Sequence, residues 1–475
     1  MQTECTKREV VFQGHGRRGV MARFDGGRLS SDGGALLLRE ADGVLDVTRR
    51  LSGCFTDHRS PERREHALSS LVAQRVMGIA LGYEDLNDHD QLRDDSVLAL
   101  AVGRDDLTGA ERVRERDRGH PLASSSTLNR LELGTPDEAG GHRYKRIVAD
   151  ADAIDRLMVA LFLEAHDTAP GEIVLDIDAT DDPLHGHQEG RFFHGYYDCY
   201  CYLPLYITCG DHVLCSRLRS SNIDASSGSV TELTRIVGQI RASWPTTRIL
   251  VRGDSGFCRE EIMAWCEAND VDYVFGLART PRLVARIGRQ MRRSHSRCVT
   301  TGRASRRFRD FRYRTLTSWS RSRRVVGKAE VLAGRRGRNP RFVVTSLTRH
   351  QIGARELYED LYCARGDMEN RIKEQQLDLF ADRTSTATMR ANQLRLYFSV
   401  FAGILLQIIR DVGLAGTKLA RAQYGTIRVT LLKVACQIRL SVRRILFSLS
   451  SIYPRQHLFA QVALALRRAA AARSP

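Results

Sequence analysis

Long uninterrupted apolar runs are missing from this 475-residue sequence. The longest, over residues 396–409, is broken by Ser399 and Gln407 and is too short to cross a bilayer comfortably, so a buried helix is expected there. No apolar stretch follows the charged Glu4, Lys7 and Arg8, so no secretory signal is expected. Polar low-complexity tracts and internal repeats are lacking too. With 42% hydrophobic residues the chain has material for real cores, which excludes intrinsic disorder and suggests about three domains. Paired C-x-x-C spacing is absent among the 11 cysteines. Cys199, Cys201, Cys209 and Cys215 alternate within Tyr- and Leu-rich, strand-like text, so buried reduced thiols of a cytoplasmic, nucleoid-associated protein are expected, not a zinc site.

Lysine is nearly as scarce: only six of the 73 basic residues are lysine. The net charge of +17 is therefore carried by arginine, and it points to a polyanionic partner, nucleic acid first. Arginine forks match phosphate oxygens better than ammonium groups do. A GC-rich genome would leave the same bias, so charge alone does not separate a binding surface from a generally basic one.

Residues 1–150 read as a mainly helical DNA-binding region. Over residues 65–81, Ala67, Leu68, Leu71, Val72, Val76 and Ile79 share one side at helical spacing. The hydroxyl run from Ser124 to Thr127 resembles a helix start before Leu128 and Leu131. Arg49, Arg50, Arg59, Arg63 and Arg64 supply charge, for DNA or for plain solvation. Residues 170–380 read as an α/β catalytic core. Strands are expected over 172–178, 196–202 and 203–209, a helix over 230–244, a strand over 248–252, a helix over 260–268 and a strand over 272–277. Three strands, a helix, a strand, a helix and a strand is the order of an RNase H-like fold. Arginine-dense residues 280–340 read as a β-rich insertion, 342–347 as a further strand, and 351–363 and 366–378 as helices. Residues 384–475 form a basic helical C-terminal region with Arg443, Arg444, Arg467 and Arg468.

Three acids fall where this topology can gather them. Asp178 closes the first strand, Asp254 follows the fourth in a glycine-flanked turn, and Glu369 lies on a distant helix. Converging carboxylates raise one another's pKa, and hard divalent cations relieve that, since Mg²⁺ prefers carboxylate oxygens. Two such ions clamp the attacking and leaving oxygens of an in-line displacement at phosphorus. Taken singly, each acid is as well explained as a turn former or an exposed helix charge. Their joint placement favours the metal reading. Asp176 competes with Asp178 as first ligand, because residues two apart on a strand share a face; the following x-Thr favours Asp178.

These residues also carry a family likeness. Ile177-Asp178-Ala179-Thr180, Arg252 to Phe257 (RGDSGF) and Tyr362-x-x-Arg365-x-x-x-Glu369 resemble the three signatures of bacterial insertion-sequence DDE transposases. LDIDATDDPLHGHQEG, GYYDCYCYLPL, YCARGDMENRIKE and the basic SVRRI text are similar to the group typified by insertion sequence 1380. The resemblance runs from about Ser30 to the C-terminus. It implies an RNase H-like core, an Asp-Asp-Glu triad, two Mg²⁺ ions (with Mn²⁺ as substitute) and cut-and-paste transposition. The DNA partners would be the element's terminal inverted repeats and a target. A homodimer is expected, because two element ends must be paired. By the same pattern Tyr362 and Arg365 would contact phosphates near the scissile bond. The superfamily often has lysine seven residues after the glutamate, where this chain has Gln376; Lys373, four residues after Glu369 on the same helical face, is the alternative.

In the arginine-rich segment Trp319 and Tyr313 are candidates to stack on an unpaired base, although a packed hydrophobe is the plainer role for a tryptophan. His185 and His187 are expected as loop residues, since hard-metal sites favour oxygen. Two other functions stay open at this point: a non-catalytic DNA-binding regulator derived from a transposase, and a structure-selective nuclease on the same fold.

Overall fold

A computed structural model describes residues 9–137, 141, 143–334 and 337–473. The charged Glu4, Lys7 and Arg8, and the side chain of Arg63, lie outside what it describes. The chain folds as two compact units, Asp150–Val400 in one, and Met1–Ala149 with Phe401–Pro475 in the other. The basic tail expected as a separate region over 384–475 is therefore no region of its own. From Phe401 onward it folds with the N-terminal chain.

The unit Asp150–Val400 is a mixed α/β fold around one large sheet. Its strands are β1 (Glu172–Ala179), β2 (Leu205–Cys209), β3 (His212–Arg217), β4 (Arg248–Gly253), β5 (Asp272–Leu277), β6 (Ser305–Tyr313), β7 (Arg323–Val331) and β8 (Arg338–Thr345). They lie in the order β3-β2-β1-β4-β5-β8-β7-β6. The first three are antiparallel to one another, β1, β4 and β5 are parallel, and the last three continue antiparallel. Helices Ser229–Ser243 and Glu260–Ala268 make the crossovers between β3 and β4 and between β4 and β5.

Strand alternation explains why the middle of this sheet is buried on both faces. On one face Ile249, Val251, Tyr273, Phe275, Val325 and Val344 join the main core, with Leu233, Ile236 and Ile240 of the helix above them. The interleaved Leu250, Val274, Val326 and Val343 face the other way, onto Leu357 and Tyr358. The second face thus fixes the chain segment that leads to Tyr362, Arg365 and Glu369.

Two sequence expectations need correcting. The strand expected over 196–202 exists only as Cys199–Tyr202, which pairs with Asp182–Pro183 and Phe192–His194 in a separate small sheet. The large sheet takes His212–Arg217 instead, a strand that was not anticipated. The hairpin turn Gly210-Asp211 was the available signal, with Gly210 at φ 57° between two apolar runs. Residues 280–340, expected as a β-rich insertion, are β only in part. They begin with helices Pro281–Arg286 and Gly288–Thr301, and their strands extend the large sheet. Their arginines are compatible with this because inward positions such as Val325, Val326 and Ala329 are fully buried.

The other unit is not wholly helical. Ala35–Leu45, Leu68–Leu81, Ser96–Ala101 and Ser125–Glu132 are its longer N-terminal helices, but a hairpin of Glu9–His15 and Arg18–Arg23 precedes them. Arg28–Ser30 pairs with Cys436–Leu440, which pairs with Ile445–Leu449, so Arg443 and Arg444 sit in a hairpin turn. The C-terminal helix Gln456–Arg473 packs on Ala35–Leu45. Inside, Arg75 Nε donates to Glu132 Oε1 at 2.8 Å, a fully buried pair. Among the described residues one helix, Met389–Gly413, is long and apolar enough to cross a membrane by length and composition; 83% of its apolar window is buried.

Candidate active site

Parallel pairing of β1 and β4 puts Arg252 opposite Asp176 and Gly253 opposite Ile177. The next residues, Asp178 and Asp254, therefore leave neighbouring strands side by side at their C-terminal ends. Gly253 permits this: a Cβ there would stand 2.9 Å from Ile177 Cγ2 and 3.3 Å from its carbonyl oxygen. Asp254 opens a tight turn in which Gly256 N–H donates to its Oδ1 at 2.7 Å. On β5, Gly276 leaves room for both the turn and the helical arm, since a Cβ would meet Tyr362 Oη at 2.6 Å and Ser255 N at 2.9 Å.

The arm runs helically from Ala354 to Leu379 with changing pitch. Wide π turns over Leu357–Tyr362 give way to a tight 3₁₀ turn, Cys363–Arg365, and then to α-helix Gly366–Leu379. Such irregularities often mark functional positions. Here they present Arg365 between two acids. Its Nη1 donates to Asp178 Oδ2 at 3.0 Å and its Nη2 to Glu369 Oε1 at 2.8 Å, an i,i+4 pair.

Electrostatics at this point are tight. Burial pushes the Asp178 carboxyl up to about 6; Arg365 opposes the rise, while Asp254 and Glu369 add to it. Burial also works against the Arg365 charge, but Asp178, Tyr362, Glu369 and Asp254 outweigh it and raise its pKa. Tyr362 is raised by burial, with Arg365 opposing and Asp254 reinforcing. Asp178 thus feels both other acids, and Arg365 feels all three. Among the described residues, no three carboxylate, imidazole or thiol groups converge closely enough to form a ligand set. The donor chemistry, three hard oxygen acids around a single cation, matches what a divalent ion requires.

Asp176, the alternative to Asp178, has another job. It is buried and takes a two-pronged bond from Arg252, at 2.5 Å from Nε and 2.7 Å from Nη2, while Arg252 Nη1 holds the Leu361 carbonyl at 2.5 Å. The pair ties β1 and β4 to the arm. Lys373 is exposed. Gln376, where the related pattern has lysine, reaches back to Asp182 Oδ1 and the Asp181 carbonyl, both at 3.2 Å. Asp182 is fully buried, and burial holds its carboxyl far above the ordinary range. The amide of Gln376 bonds to this buried carboxyl without placing a charge beside it.

Trp319 is not available for stacking. It is 4% exposed, packs edge-on against Tyr313 and lies under the Arg323 guanidinium. Among the described residues of this unit, the exposed aromatics lie in and beside the small sheet: Phe192, Phe193, Tyr196 and Tyr200, the last with Arg191 3.9 Å over its ring. Their neighbour Tyr197 is pushed up to about 12 by burial, then by Asp181 and Asp178, which puts this patch beside the acids. The dense aromatic text of residues 192–202 was the signal, and it was read only as strand. His185 and His187 are exposed loop residues. Cys201 and Cys215 are buried free thiols, as expected, with Cys199 and Cys209 partly buried.

With this geometry in place, comparison with known families gives one finding. A family model described as transposase DDE domain group 1 matches residues 12–471. No curated protein matches the chain.

Proposed function

The chain belongs to the transposase DDE domain group 1 family, and from that premise we propose a DNA transposase that cleaves and joins strands at Asp178, Asp254 and Glu369. Its sheet supports an RNase H-like reading of the core: β3-β2-β1-β4-β5 is the strand order of that fold, with β8, β7 and β6 added at one edge. DNA is the substrate that the family implies, and the terminal inverted repeats of a mobile element, a target and a homodimeric pairing of two ends complete the proposal.

Asp178, Asp254 and Glu369 would hold two Mg²⁺ ions, or Mn²⁺ in their place. Such ions supply Lewis-acid stabilisation of the attacking and leaving oxygens at phosphorus. The chain's own residues do the rest. Asp178 and Asp254 are fixed by neighbouring strands, whereas Glu369 is exposed and bonded to Arg365, so it is the acid with freedom to close the set. Arg365, once released from the acids, is positioned with Tyr362 to bind DNA phosphates, and Lys373 extends that charge one helical turn on. Phe192, Phe193, Tyr196 and Tyr200 offer the base-stacking surface that Trp319 does not.

The observation that carries this reading is Arg365 joining Asp178 to Glu369, because it brings a helix 187 residues away onto the sheet edge that holds both aspartates. The test is cleavage of an end-containing duplex with Mg²⁺. Asp254→Ala should abolish cleavage and leave DNA binding largely intact; cleavage at the wild-type rate would refute the assignment.

A further inference from the structure

A cleft of the unit Met1–Ala149 with Phe401–Pro475 lies far in sequence from the three acids. It encloses ≈ 710 Å³ and, among the described residues, is lined by eight arginines, Arg59 and Arg112 included, against two carboxylates, Glu65 and Asp117. Eight minus two leaves an excess of six positive charges around one cavity.

Two of the arginines build the walls. Arg112 is 5% exposed and donates to the carbonyls of His120, Glu65, Pro121 and Leu122 and to His66. Arg59 is engaged with Asp57 and the His66 carbonyl. His66 between them is neutral: burial first, then Arg112, Arg104 and Arg59, push it down to about 3. It can therefore accept from Arg112 without adding charge.

Among the described residues, Arg93, Arg114, Arg116, Arg130 and Arg143 are poorly matched from within the protein. Arg114 and Arg116 are more than half exposed, and their nearest carboxylates are 3.9 Å away. Arg93 has its Nε buried without a hydrogen-bond partner. Arg130 and Arg143 lie 4.6 and 5.3 Å from the Tyr144 ring centroid, which holds both guanidinium planes at the rim. Like charges held this close repel unless an anion enters between them. Guanidinium forks on such a wall are suited to phosphate oxygens. By contrast Arg49, Arg50 and Arg64, which the sequence left open between DNA and plain solvation, make local bonds to Asp46, the Leu45 carbonyl and the Arg59 carbonyl.

We propose that this cleft grips the phosphodiester backbone of DNA through Arg93, Arg114, Arg116, Arg130 and Arg143, a second DNA contact built separately from the acid site. The proposal rests on the reading that DNA is the substrate, but its test needs no catalysis. Binding of the full chain to duplex DNA is measured in EDTA between 50 and 200 mM salt by fluorescence anisotropy. The triple variant Arg114→Gln, Arg116→Gln, Arg143→Gln should lower the slope of log affinity against log salt by about 2.7, at about 0.9 per lost phosphate contact. Over that fourfold salt range the variant's affinity should then change roughly 40-fold less than the wild type's. Weakening should be equal for end-containing and unrelated sequences.

A triple lysine variant at the same positions should keep most of the slope. Loss as large as in the glutamine variant would mark a structural role and overturn the proposal, as would an unchanged slope in the glutamine variant. A third arm uses tripolyphosphate. If it stabilises the wild type thermally while the glutamine variant keeps the wild-type DNA slope, the cleft takes a small polyanion and the proposal falls. Asp254→Asn should retain the full slope in the same assay, so failure of the cleft and failure of the catalytic assignment give different results.

Discussion

The guanidinium of Arg365 reaches Asp178 on one side and Glu369 on the other. Without it two acids face each other uncompensated, and a divalent ion becomes the remaining way to neutralise them. Arg365→Ala should therefore lower the melting temperature in EDTA and show a larger Mg²⁺-induced rise than the wild type. Equal rises would contradict this role. Asp178 makes a pH prediction. Its folded value of about 6 lies above the ordinary 3.8, so the folded chain holds the proton more tightly than the unfolded chain. That stabilisation is present below about pH 4 and is lost as pH rises through about 6, leaving a charge that the fold disfavours. Asp178→Asn should melt at or above the wild-type temperature at pH 8, and the difference should shrink at pH 5. A clear loss of stability at pH 8 would show that the site favours the carboxylate. Asp176 differs in its partner: burial raises its carboxyl too, but Arg252 opposes the rise and binds it through two nitrogens. Removing it in Asp176→Ala strands Arg252 in the interior and should cost about 3–5 kcal/mol in urea unfolding. A cost near zero would mean the pair is not tying strand to arm.

At the scale of elements, close approach depends on glycines. Gly276→Ala would press a methyl against the Ser255 amide and the Tyr362 hydroxyl, so it should impair Mg²⁺-dependent cleavage while circular dichroism stays unchanged. Gly238→Ala, in an exposed helical position with open space around it, is the control and should stabilise by about 0.5–1 kcal/mol. If both behave alike, the packing argument for Gly276 fails. The elements also show what sequence can and cannot say. Glu260–Ala268 and Asp272–Leu277 were legible to the residue because apolar periodicity and flanking polar residues agree. His212–Arg217 was hidden because its hydrophobic run abuts the preceding strand across only two residues. Residues 280–340 read as a β-rich insertion and 342–347 as a further strand, but that all these strands extend the large sheet is not legible in the sequence. Local pattern gives a strand its two faces, yet the sheet edge it joins is decided by long-range pairing.

At the scale of the whole chain, the sequence missed how the chain is divided. The strands that end near Asp178 and Asp254 and the helix that carries Glu369 could be located because turn glycines and apolar periodicity leave a local imprint. Trp319 could not be told from a stacking residue, since burial is a property of the finished packing. Nor could the return of the chain after Phe401 to the N-terminal unit be read from a basic, helix-like composition. The charge of +17 shows the same limit. Its sign was plain, but its concentration in one cleft appears only when Arg59 to Arg146 fold around it.

Mn²⁺ titration of the full chain followed by electron paramagnetic resonance tests the central claim most directly, because it counts bound ions without relying on cleavage. The wild type should bind Mn²⁺, and Asp178→Asn, Asp254→Asn and Glu369→Gln should each lose most of that binding, while Asp176→Asn retains it. Wild-type binding by all three acid variants would contradict a shared metal site.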